Sequence, residues 1–150
     1  KLSVDLGGMT GQLGKQAERE AFRQGSVKAA PVICYESIFG DFVTGYVRNK
    51  GANLLAVLTN DGWWGDTDGY RQHMAYARLR AIENRRDVVR SANTGISCFI
   101  NQRGDVVQQT GWWEQTSLTG QVHLNEKLTF YSQYGDYLGR TAAFLGVLLY

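Results

Sequence analysis

The spacing of apolar and polar residues divides the chain into short strands and amphipathic helices. Val27–Ile33 is a mostly apolar run and predicts a strand that arrives at Cys34. Asp41 is placed to cap a helix whose apolar face is Phe42, Val43, Tyr46 and Val47, with Gly51 just past its end. Leu54–Leu58 is apolar at every position, as a strand buried on both faces of a central sheet requires. It empties into Asn60-Asp61-Gly62-Trp63-Trp64-Gly65-Asp66, a loop with turn chemistry and two aromatic rings. From Tyr70 to Asn84 the helical period returns, with Met74, Ala77, Ala81 and Ile82 on one side and Arg71, Arg78 and Glu83 elsewhere. Val88-Val89 starts another strand, closed by a turn at Asn93-Thr94-Gly95. Ile96–Asn101 and Val106–Gln109 form a hairpin around Gln102-Arg103-Gly104-Asp105. Gly120–Leu124 is expected to be a further strand and Leu128–Tyr131 an extended segment. This alternation predicts an α/β domain with a mixed sheet covered by helices.

The two ends differ from this middle. Residues 1–25 are glycine-rich and poor in periodicity, a loop-rich lead-in to the same domain. Gly8–Gly14 reads as surface loop, because no strand precedes it and its spacing is wrong for a dinucleotide fingerprint. Glu18 and Glu20 read as part of a charged helical turn. Lys1–Val4 shows no signal-peptide pattern. Residues 141–150 are uncharged and apolar. A spanning helix needs about 20 such residues, so this run is either a buried C-terminal helix or the opening half of a membrane span. Both ends read as cut from a longer protein.

Composition narrows the chemistry. A chain of 150 residues, 43% hydrophobic and 20% charged, is one globular domain or a piece of one. Its net charge of +2 comes with no basic stripe, so nothing singles out a nucleic acid partner. Two cysteines provide neither a disulfide framework nor a metal cluster. Arg103-Gly104-Asp105 is explained by a glycine-centred turn rather than as an adhesion ligand.

Pro31-Val32-Ile33-Cys34-Tyr35-Glu36-Ser37 is where chemistry is expected. A strand-to-helix corner lifts a side chain from the sheet and points backbone N–H groups at whatever it attacks. A cysteine attacks carbonyl carbon as thiolate, and its ordinary pKa is about 8.5, so a base, a cation and oxyanion donors would all help. The Tyr35 N–H is the natural oxyanion donor. Glu36 alone would oppose thiolate formation, so it suits organising a lysine or a substrate amine. On local sequence Cys34 also fits a buried structural thiol. Cys98 lies within the alternation of a strand and reads as structural, and His73 and His123 read as structural histidines.

Three motifs in order carry a resemblance: Pro31–Glu36, Asn60–Gly65, and Arg90-Ser91-Ala92-Asn93-Thr94-Gly95-Ile96-Ser97. Together they resemble the nitrilase, or carbon–nitrogen hydrolase, superfamily. From about Gly25 to Arg140 the chain is similar to the C-terminal part of the extracytoplasmic domain of bacterial apolipoprotein N-acyltransferases. The resemblance implies a nitrilase-like αββα four-layer sandwich, of which residues 26–140 would be the C-terminal part and 141–150 the start of a transmembrane helix. It implies a Glu-Lys-Cys triad with Cys34 as nucleophile and Tyr35 as oxyanion donor. Glu36, Trp63 and Asn93 would support the substrate pocket. Nothing before Gly25 matches the family's glutamate or lysine, so the N-terminal strands and these two residues are expected outside this chain, leaving it inactive alone. The implied reaction moves an acyl chain from a phospholipid to a diacylglyceryl-lipoprotein at the bacterial inner membrane, facing the periplasm, with no metal or cofactor. A soluble amidase or carbamoylase, and a non-catalytic binding module of the same fold, are the alternatives.

Overall fold

A computed structural model describes residues 16–150. The Gly8–Gly14 loop expectation lies outside the described residues. Six strands form one sheet in the order β1-β2-β3-β4-β5-β6. They are β1 (Phe22–Gln24), β2 (Val27–Ile33), β3 (Leu54–Thr59), β4 (Val88–Ala92), β5 (Cys98–Ile100) and β6 (Val106–Gln109). β2, β3 and β4 are parallel, and their crossovers are α1 (Gly40–Lys50) and α2 (Asp68–Asn84). The flanking pairs are antiparallel hairpins. The mixed α/β sheet expected from the pattern is therefore present.

The core lies between the sheet and its helices. Ala30 and Val32 of β2, Leu55 and Val57 of β3, Val88 of β4, and Cys98 and Ile100 of β5 all point that way. They meet Val43, Tyr46 and Val47 of α1 and Ala77 and Ala81 of α2. A strand alternates its side chains with period two, so the intervening residues face the opposite side. There Phe22, Ile33 and Leu58 are 71%, 51% and 46% exposed. Leu54–Leu58 is thus central in the sheet, but its last residue is not buried on both faces.

Helix ends follow local chemistry. The α1 cap is Phe39, without a side-chain bond, while Asp41 sits one step inside in the first turn. A carboxylate there favours the positive helix end, but it does not close the first N–H groups as a cap would. Gly51 ends the helix at φ +68. Thr67 caps α2 by accepting the Gly69 N–H, and Arg85 ends it in the left-handed region at φ +50. Arg86 then buries its guanidinium on the carbonyls of Ala52, Asn84 and Lys127.

Four further expectations need correction. Residues 22–24 form β1, joined to β2 through Gly25 at φ +56, although their polarity masked a strand. Glu18 and Glu20 are not helical; both pair with Lys50. Gly120–Leu124 makes no strand, and His123 donates its N–H to Asp87 Oδ2 instead of pairing in the sheet. Leu128–Tyr131 runs into a helix, α3 (Phe130–Tyr134), capped by Thr129. α4 (Tyr137–Leu148) follows with no buried residue. Among the described residues, no helix is long and apolar enough to cross a membrane.

Candidate active site

The carboxyl ends of β2, β3 and β4 converge at one edge of the sheet, where open parallel sheets bind ligands. β2 ends at Ile33, and Cys34 begins a five-residue 3-10 turn, Cys34–Ile38. Cys34 has φ +49 and is half-buried. A non-glycine residue in this region costs about 1–2 kcal/mol and persists only where its surroundings enforce it. The enforcement is visible at its carbonyl. Ser37 Oγ donates to Cys34 O at 2.7 Å, and His73 Nε2 stands 3.1 Å from the same oxygen and 3.0 Å from Ser37 Oγ. At the sulfur, Thr59 Oγ1 lies 3.3 Å from Sγ.

Beneath the corner sits an ionic cluster with no solvent contact. Asp61 accepts hydrogen bonds from Arg90 Nη2 at 2.7 Å, His73 Nδ1 at 3.0 Å and Thr59 Oγ1 at 3.0 Å. Side-chain exposure is 0% for Asp61 and Arg90 and 1% for His73. A carboxylate only accepts, so His73 Nδ1 is the donor in this pair. Burial pushes the Asp61 carboxyl up, but hydrogen bonds from His73, Arg90 and Thr59 and the guanidinium charge outweigh it. Its pKa lies below the usual carboxylate range. Arg90 Nη1 also donates to Ile96 O.

Loops from three strands lace this edge together. Asn93 N–H donates to Thr59 O at 2.9 Å, Thr94 Oγ1 to Asn60 Oδ1 at 3.1 Å, and Trp113 N–H to Thr94 O at 3.2 Å. A Cβ at Gly95 would stand 2.0 Å from Asp61 Oδ2, so only glycine lets this loop close over the carboxylate. Tyr35 and Trp64 pack their rings on His73, with centroids 5.9 and 5.1 Å away.

The residues expected from sequence gather here unequally. Cys34 and Tyr35 stand at the corner, and the Tyr35 N–H lies in the first turn, where a helical amide has no intrahelical acceptor. Glu36 folds back so that Oε2 accepts the Ile33 N–H at 2.8 Å. It lines an open cleft of about 850 Å³ with Pro31, Phe42, Tyr46 and Lys50, and Cys34 does not line it. Trp63 is exposed, whereas its neighbour Trp64 packs on His73. Asn93 braces through its backbone, its side chain facing solvent.

Sequence reasoning missed Thr59 and gave no separate role to Ser37, Asp61 or Arg90, although these three lie in the stretches it singled out; His73 is buried and hydrogen-bonded, as a structural histidine is. Arg90 carried a signal: it lies two residues beyond Val88 and so shares the buried face. Cys98 is buried, as expected, and burial raises its thiol to about 11.

Residues 9–127 match the family model described as carbon–nitrogen hydrolase. The chain is 47% identical over 110 residues to an apolipoprotein N-acyltransferase of Chlorobaculum tepidum, and 37% identical over 126 residues to one of Geobacter metallireducens. These alignments take in 73% and 84% of this chain but 20% and 24% of the relatives, so the chain spans about a fifth to a quarter of their length. Among solved structures, it is similar to an amidase from Nesterenkonia sp., with TM-score 0.61 and 17% identity over 89% of this chain and 50% of that one. A carbon–nitrogen hydrolase from Helicobacter pylori G27 gives TM-score 0.58 and 14% identity over 69% of this chain and 43% of that one. At such identities the likeness is one of fold. With a family match across most of its length and a nitrilase-like fold around Cys34, the chain belongs to the carbon–nitrogen hydrolase family.

Proposed function

We propose that the chain carries the nucleophile of an N-acyltransferase, with Cys34 as the residue that is transiently acylated. The observation that carries this reading is the position of Cys34, half-buried with φ +49 at the carboxyl edge of three parallel strands and above a buried ionic cluster. The curated relatives named apolipoprotein N-acyltransferase support it.

In this reading a glutamate base from outside the chain takes the Cys34 proton, and Sγ attacks the carbonyl carbon of a phospholipid acyl ester. The developing oxyanion rests on the Tyr35 N–H and a lysine that is likewise outside this chain. The lysophospholipid leaves with the returned proton, and a Cys34 thioester remains. The α-amine of a diacylglyceryl-cysteine lipoprotein then attacks it, forming the amide and releasing the thiol. Trp63 walls the acyl or headgroup site, the Asn93 turn braces it, and Glu36 orders the approach of the amine. No metal, cofactor or nucleic acid takes part.

Residues 26–140 are then the C-terminal part of a longer catalytic domain, with 1–25 leading in, and the chain is inactive without the missing triad members. It works on the periplasmic side of the inner membrane. α4 is 12 residues, about 18 Å at 1.5 Å per residue, against a hydrocarbon core of about 30 Å. α4 is thus too short to span by itself, and in this reading residues 141–150 are the start of a transmembrane helix.

Cys34→Ser in the full-length protein should abolish the hydroxylamine-labile acyl-enzyme formed from radiolabelled phospholipid, together with lipoprotein acylation. Thioester accumulation in that variant would overturn the assignment. Release of free fatty acid with no amide product would favour the hydrolase.

A further inference from the structure

Thr59 occupies a position that the acyl-transfer scheme leaves unused. Its Oγ1 lies 3.3 Å from Cys34 Sγ and 3.0 Å from Asp61 Oδ1, yet a hydroxyl has one proton to give. Asp61 is acceptor-only, is also held by His73 and Arg90, and so does not depend on Thr59 alone.

We infer that Thr59 is a catalytic hydroxyl that switches its hydrogen-bond donor between two acceptors as Cys34 changes protonation state, and that Asp61 is the positioning residue that holds it ready. This rests on Cys34 being the reacting thiol. With the thiol protonated, Thr59 O–H donates to Asp61 Oδ1 and the Cys34 S–H donates to Oγ1. When a base removes the S–H proton, the hydroxyl rotates about its C–O bond and donates to S⁻. No bond between heavy atoms changes, and the thiol proton leaves with the base.

Asp61 can release Thr59 because two donors, one of them a buried guanidinium, still satisfy it. The thiolate gains a donor that needs no rearrangement beyond a rotor. The charged and titratable groups of the elements packed at this corner are Tyr35 and Glu36 on its own turn, Asp61 after β3, His73 on α2 and Arg90 on β4. Of these groups and Thr59, only Thr59 places a hydrogen-bonding atom on Sγ among the described residues.

The test measures the pH profile of Cys34 alkylation by iodoacetamide in the full-length protein, following the Cys34 peptide by mass spectrometry. The sulfur displaces iodide, so the rate tracks thiolate. Thr59→Val keeps shape and loses the hydroxyl; Thr59→Ser keeps the hydroxyl and loses the methyl. A hydrogen bond to a charged group predicts that the midpoint in Thr59→Val rises by about one pH unit or more, with a rate below the midpoint about tenfold lower or more. Thr59→Ser should stay near wild type. Thr59→Ala, which lacks both groups, should match Thr59→Val and substitutes for it should the valine variant not fold. A wild-type profile in Thr59→Val or Thr59→Ala, or an equal rise in Thr59→Ser, overturns the inference. Retained acyl transfer in full-length Cys34→Ser would instead strike the acyl-enzyme reading.

Discussion

Replacing Asp61 with asparagine removes one charge from the cluster under Cys34 while keeping volume nearly constant. The wild-type carboxylate faces three donors, from Arg90, His73 and Thr59. A carboxamide offers one acceptor oxygen and an NH2 group, so a donor must meet a donor. Arg90, fully buried and otherwise bonded to the Ile96 carbonyl, is left with no anion. Breaking a buried ion pair from one side costs about 3–5 kcal/mol, a large part of the roughly 5–15 kcal/mol that holds a domain together. Urea unfolding at neutral pH, followed by tryptophan fluorescence, should register that loss. The pH dependence has a definite sign. Asp61 is depressed below its ordinary 3.8 in the folded state, so its contribution is complete above that value and is lost as pH falls through the lower folded value. The deficit of Asp61→Asn should therefore shrink in acid. Adding Arg90→Met removes the stranded guanidinium and should make the protein no less stable than Asp61→Asn alone. A neutral-pH loss below about 1 kcal/mol, the range of exposed ion pairs, would refute the reasoning, as would a deficit that persists unchanged in acid.

Other consequences can be read from single positions. Leu55 is 0% and Leu58 46% exposed on the same strand. Leu55→Ala should cost about 2–5 kcal/mol and Leu58→Ala less than about 1 kcal/mol in the same urea assay. Gly95→Ala would put a Cβ 2.0 Å from Asp61 Oδ2, and a thermal melt should show it destabilised by about 1–3 kcal/mol. Cys98 is raised from 9.0 to about 11 in the folded state. Below 9 it carries no pH term, and between 9 and 11 the unfolded chain ionises first. Stability should then fall by up to about 1.4 kcal/mol per pH unit, a slope missing in Cys98→Ala when the two melting curves are compared.

What the sequence made legible was what local chemistry decides. The runs ending at Ile33 and Leu58, the α2 period and the Gln102–Asp105 turn are set by apolar spacing and glycine, and the structure has them, with the second strand reaching one residue further to Thr59. Two segments misled for physical reasons. Phe22-Arg23-Gln24 is an edge strand with one side chain in three apolar, so no alternation marks it. Gly120–Leu124 has β-like residues, but it lies outside the sheet and its backbone bonds to Asp87. The Cys34 corner was legible because strand, cysteine and turn are contiguous. The cluster was not, because Thr59 with Asp61, His73 and Arg90 come from three places in the chain, and only folding brings them together. His73 shows the difference: on the sequence it is one polar residue in an amphipathic helix, while in the fold it stands 3.1 Å from the Cys34 carbonyl.

The placement of that cluster follows from strand register. On the helix-facing side, Val57 of β3 pairs with Arg90 of β4, and Arg90 with Cys98 of β5. Val88 and Ile100, one step toward the other end, are wholly apolar neighbours. The buried face therefore changes from hydrocarbon to ion within one side-chain repeat, at the level where β2 gives way to Cys34. A buried charge is costly unless paired, so the change calls for a matched set: Arg90 needs Asp61, Asp61 is satisfied by His73, and His73 reaches the carbonyl of the one residue in β2's turn with a left-handed backbone. The cysteine's strained backbone and the ionic cluster are thus one construction. Replacing the polar layer with hydrocarbon could keep a core, but would remove the groups that hold the corner's carbonyl and present its sulfur.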